Sequence, residues 1–74
     1  METNRDFILR QLNSGRSIWR LTDTYLISYT KTPYGVYVEA LNDNNHTSRF
    51  IRVEQAVEQL VRNFNQIIKV GKGG

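Results

Sequence analysis

The sequence predicts an α+β fold: an N-terminal helix, an antiparallel β-meander of three to four strands, and a long C-terminal helix packed on the sheet. Three observations predict it. Apolar residues recur at helical spacing near both ends, the middle is rich in β-branched and aromatic residues, and Pro, Gly, Asn and Asp punctuate that middle at short intervals.

Thr3 or Asn4 is placed to cap the first helix, with Asp6 in its first turn, where a carboxylate suits the positive end of the helix dipole. Ile8, Leu9 and Leu12 form one stripe, and Asp6 and Arg10 stand four apart in the favourable acid-first order. Phe7 falls off that stripe. Asn13-Ser14-Gly15 stops the helix, because Asn and Gly accept the left-handed backbone that ends helices.

Residues 17–21 and 24–30 read as strands, with apolar side chains at Trp19, Leu21, Tyr25, Ile27 and Tyr29 and a turn at Thr22-Asp23-Thr24. Lys31-Thr32-Pro33-Tyr34-Gly35 places Pro and Gly for a hairpin loop, and Val36 to Leu41 is the returning strand. Asn42-Asp43-Asn44-Asn45 is the strongest turn, since Asn and Asp bond back to their own backbone. A further strand follows over His46 to Arg52. Val53, Ala56, Val57, Leu60, Val61, Phe64, Ile67 and Ile68 then recur every three or four residues and predict one continuous helix. Residues 1–70 thus form one domain, and 71–74 a flexible Gly/Lys tail.

Composition narrows the function classes. The chain of 74 residues has no cysteine and one histidine, His46, which excludes disulfides and disfavours zinc. No Asp-rich calcium loop or phosphate-binding glycine loop is present, so no metal and no cofactor is expected. No apolar run approaches the ~20 residues that span a bilayer, and no charged-then-apolar leader follows Met1, so the expectation is a cytoplasmic protein without a membrane partner. A net charge of +3 and a pI near 9.6 lean weakly towards anionic partners.

Strand alternation supplies the candidate sites. If Val36, Val38 and Ala40 face the helices, then Tyr37 and Leu41 face away, joined by Leu26 and Phe50 from neighbouring strands. Leu26, Tyr37, Leu41 and Phe50 are therefore the predicted partner surface of a small non-enzymatic binding module, acting through protein–protein contact as a homodimer or by docking another protein; the competing expectation is that the first helix crosses to cover that face. The alternative is a nucleic-acid or anion surface built from Arg16, Arg20, Lys31, Arg49 and Arg52, interleaved with Trp19 and several tyrosines. Trp19 itself is read as a core residue. No nucleophile stands beside a base, and no catalytic residue is expected; the nearest acid–base set is Glu39, His46 and Arg49.

The α-β-β-β-α part of this order resembles double-stranded-RNA-binding domains, with Ala56 inside the second helix. That family presents lysines at the start of its second helix. Here Val53-Glu54-Gln55-Ala56-Val57 carries an acid and no lysine, so the phosphate-gripping role passes to none of these residues.

Overall fold

The computed structural model describes residues 1–72, and its sheet grows from turn chemistry. Thr22, Thr32 and Asn42 recur at ten-residue intervals, each turning a side-chain oxygen onto the backbone that follows. Thr22 Oγ1 accepts from the N–H groups of Thr24 and Tyr25 at 3.2 and 2.9 Å. Thr32 Oγ1 accepts from Tyr34 at 3.1 Å, and Asn42 Oδ1 from Asn44 and Asn45 at 2.9 and 2.7 Å. Such bonds stabilise tight reversals. They fold the middle of the chain into four successive antiparallel strands: β1 (Arg16–Leu21), β2 (Leu26–Thr32), β3 (Gly35–Leu41) and β4 (His46–Ile51). The second reversal requires glycine. Gly35 has φ +125°, and a Cβ there would stand 2.8 Å from the Ile51 carbonyl oxygen.

The first helix, α1 (Asn4–Asn13), begins with a reciprocal cap: Asp6 N–H donates to Thr3 Oγ1 at 3.1 Å, and Thr3 N–H to the Asp6 carboxylate at 3.4 Å. Asp6 is thereby occupied, and Arg10 donates instead to Glu2 through two contacts of 2.8 Å. Phe7 packs edge-on against Phe64, with ring centroids 6.1 Å apart. The second helix, α2 (Val53–Arg62), starts where the Arg52 N–H meets Gln55 Oε1 at 3.1 Å.

Both helices lie on one face of the sheet. Ile8 and Leu12 of α1 and Ala56, Val57 and Leu60 of α2 are buried with Ile18, Tyr29, Val36 and Val38 of the strands. Ile18, Tyr29 and Val38 are successive cross-strand partners, so they define the covered face. α1 packs on β1, β2 and α2, while α2 reaches β3.

The C-terminal segment overturns the expected long helix. α2 ends at Arg62, and residues 67–72 form a fifth strand, β5 (Ile67–Lys72), giving a sheet of order β4-β3-β2-β1-β5. Asn63 makes the last i→i−4 bond of the helix, its N–H donating to the Gln59 carbonyl at 3.0 Å, then leaves helical geometry at φ −115° while its Nδ2 caps that same carbonyl at 2.9 Å. A 3-10 turn over Phe64–Gln66 then swings the chain to the open edge of β1, whose polar backbone needs a partner. Ile67 pairs with Arg20 and Val70 with Ile18, across a bulge at Trp19/Arg20. The bulge inserts one extra residue, so Ile67 and Val70 both pack on the core although they are three apart, while Ile68 stays 59% exposed. A spacing of three is also what a helix gives, and this coincidence made the sequence pattern look continuous.

Gly71 and Lys72, read as tail, complete β5 opposite Ser17 and Arg16; Gly73 and Gly74 lie outside the described residues. The fourth and fifth strands likewise exceed the order of the double-stranded-RNA-binding family. No helix among the described residues is long and apolar enough to cross a membrane.

Candidate functional site

The strand register decides which side chains leave the core. Three cross-strand rows occupy the face opposite the helices: Leu21, Leu26, Leu41 and His46; Trp19, Ser28, Glu39 and Ser48; Ser17, Thr30, Tyr37 and Phe50. The four residues read as a partner surface, Leu26, Tyr37, Leu41 and Phe50, all stand here. Phe50 and Leu41 are 52% and 42% exposed, whereas Leu26 and Tyr37 are half-buried between their neighbours.

Aromatic contacts order one corner of this face. The Phe50 ring lies 5.1 Å from Tyr37 and 6.4 Å from Tyr34, centroid to centroid. The Leu row fills the opposite corner, with Leu21 51% exposed. Trp19, expected in the core, is half-buried on this open face, with Lys69 Nζ 5.0 Å above its ring. The central row therefore runs from a carboxylate, Glu39 on β3, to an ammonium, Lys69 on β5. Ser17 and Thr30 share a hydroxyl–hydroxyl bond in the row beside it.

The five candidate cations divide into two groups on the helix side. Arg16 and Lys31 stand towards one end of the strands, where Lys31 Nζ donates to Asn13 Oδ1 at 2.8 Å, and exposed Arg52 opens α2 just after Ile51. Arg20 and Arg49 line a cavity of about 360 Å³ towards the other end, over a floor that includes Ile27, Tyr29, Val38 and Ala40. Arg20 is the better held of the two. Its Nη1 donates to Gln66 Oε1 at 2.7 Å and its Nη2 to the Tyr29 hydroxyl at 2.9 Å, and that hydroxyl donates to Gln59 Oε1 at 2.9 Å.

Glu39 and His46 do meet, Nε2 to Oε2 at 2.9 Å, on the open face. Arg49 projects from the other face, so the acid–base set of Glu39, His46 and Arg49 is not assembled. Among the described residues no three His, Asp or Glu side chains gather into a group that could hold a metal ion.

Sequence reasoning missed Trp19 and Lys69 on the open face and the Tyr29–Gln59–Gln66 bracket around Arg20. The length of the first turn carried the signal for Trp19, because a loop of four residues, 22–25, aligns it with Ser28, whereas the three-residue turn read from the sequence would align it with Ile27. Comparison with protein families, with curated proteins and with solved structures finds no match to this chain.

Proposed function

We propose that this chain is a small non-enzymatic binding module working through the sheet face opposite its helices, and that the occupant of that face is a second copy of the chain. One observation carries the reading. Both helices cover the same side of the sheet, which leaves Leu21, Leu41 and Phe50 substantially exposed around half-buried Leu26, Tyr37 and Trp19. A grouped apolar surface of this kind favours association.

Area sets the expected strength. Five strands about 4.8 Å apart and about six residues long give a face of roughly 480 Å², so two facing copies bury on the order of 1,000 Å², the lower end for a specific interface. An interface of that size belongs with the weak, transient associations, so the dimer is expected to dissociate on dilution.

Charge favours self-association in one orientation. A two-fold axis parallel to the strands and over β2 sets β3 of one copy against β1 of the other, bringing Glu39 towards Trp19 and Lys69 of the second copy. An axis across the strands would set Glu39 against Glu39, which repels. The two separate groups of cations on the helix side offer no continuous strip of the kind a nucleic-acid strand follows, so the protein surface is preferred over that alternative.

Light scattering over a concentration series tests the proposal. The mass should rise from one chain to two across the micromolar range, and Phe50→Ser or Leu41→Ser should weaken dimerisation about tenfold or more while both variants stay folded. Glu39→Lys should dissociate the dimer, and adding Lys69→Glu should restore it. A single-chain mass at about 1 mM would end this reading.

A further inference from the structure

The cavity on the helix side carries a second site, independent of the open face. Its two guanidiniums have no carboxylate partner: among the described residues the ion pairs are Arg10–Glu2, Arg62–Glu58 and His46–Glu39, and none includes Arg20 or Arg49. Arg20 is half-buried, and a cation withdrawn from water is ordinarily neutralised by an anion; Arg49 stands exposed at the rim, free to turn to the same anion. Glu39, the acid on the strand next to Arg49, points to the opposite face.

Arg20 is also pre-oriented by neutral groups. Of its five N–H groups, three are engaged by Gln66 and Tyr29, from Nη1, Nη2 and Nε, so five minus three leaves two for another acceptor. Fixing a guanidinium with amide and phenol oxygens holds its geometry and keeps its full charge available. Arg49 stands three strand spacings across and two residues along from Arg20, roughly 16 Å at the backbone, a span that two extended arginine side chains can close on one anion from opposite sides. Between them the floor of Ile27, Val38 and Ala40 is apolar, and Thr47 adds a hydroxyl at the β4 rim.

From this we infer that the cavity binds a small organic phosphate of mononucleotide size, its phosphate clamped between Arg20 and Arg49 and its flat body laid on Ile27, Val38 and Ala40. A doubly charged phosphate matches two guanidiniums, and about 360 Å³ falls within the range of small-ligand pockets.

The test is a titration of the full chain with adenosine 5′-monophosphate, followed through the side-chain Nε–Hε resonances of both arginines. Saturable shifts of both are expected. Arg49→Gln, an exposed position outside the core, should weaken binding about tenfold or more with the fold intact, and adenosine or inorganic phosphate alone should each bind at least about tenfold more weakly than the nucleotide. Arg20→Gln supplies the second arm, with folding checked separately because Arg20 braces Tyr29. The inference is overturned if neither arginine shifts at about 10 mM nucleotide, if Arg49→Gln binds like the parent, or if inorganic phosphate binds as tightly as the nucleotide, since the floor would then contribute nothing.

Discussion

The Arg20 guanidinium grips the Tyr29 hydroxyl through two nitrogens, Nη2 at 2.9 Å and Nε at 3.3 Å, although the Tyr29 side chain belongs to the wholly buried core. The same hydroxyl donates to Gln59 on α2, so one phenol ties β2, β1 and the second helix together.

Tyr29→Phe keeps the ring and removes that tie. Gln59 and Arg20 each lose a partner near the core, which should cost about 1–2 kcal/mol and lower the melting temperature by roughly 5–10 °C. Urea unfolding with an unchanged slope and a lower midpoint is the expected result; an unchanged midpoint would show that the network contributes nothing to stability.

Two glycines separate backbone strain from steric overlap. Gly15 has φ +77° with open space around it, so Gly15→Ala should cost about 1 kcal/mol from conformation alone. At Gly35 the new Cβ also meets the Ile51 carbonyl, a backbone atom that cannot swing aside, so Gly35→Ala should cost roughly 2–3 kcal/mol. Equal losses in the two variants would contradict the close approach of β4.

The bulged fifth strand makes a prediction that a continuous helix does not. Val70→Lys places an ammonium against the core and should destabilise by roughly 2 kcal/mol, whereas Ile68→Lys at an exposed position should stay within about 0.5 kcal/mol. In a helix running through residue 68, Ile67 and Ile68 would both face inward. A large loss at Ile68 would therefore favour that helix over β5.

The pair at the N-terminus carries an acid dependence. Hydrogen bonding from Arg10 holds the Glu2 carboxyl below its ordinary value against the opposing effect of desolvation, and Glu2 in turn raises Arg10. A carboxylate depressed in the folded state favours folding above its unfolded value, and the contribution disappears as pH falls through the folded one. Melting curves from neutral to strongly acidic pH should converge for the parent and Glu2→Gln at the acid end and separate slightly above it, with added salt reducing the gap. Parallel curves at all pH values would show that the pair is without effect.

The meander was legible because its signals are local. Thr22, Thr32 and Asn42 announce their turns by side-chain chemistry, and the alternation of Val36, Val38 and Ala40 with Tyr37, Glu39 and Leu41 reads directly as two faces. Trp19 was misplaced because a hairpin loop with an even number of residues, here four, pairs an odd position with an even one: Leu21 faces Leu26 and Trp19 faces Ser28, so the apolar odd positions of β1 and β2 belong to opposite sides. The inward turn of Arg20 was illegible for a different reason, since nothing local says that a cation will be bracketed by Gln66, 46 residues away. The C-terminal strand failed where its bulge imitated helical spacing.

β1 meets its two neighbours by very different routes. Its junction with β2 closes across four residues, whereas β5 returns only after every other element has been made. Closing the longer loop costs more chain entropy, so the hairpins assemble first and β5 is the last piece to dock. The same seam is then the first to open, and its amides should exchange with solvent fastest among the strands. An open seam bares the edge of β1, where a neighbouring molecule's own final strand has the right register to take the vacant place: domain swapping is the failure this topology invites.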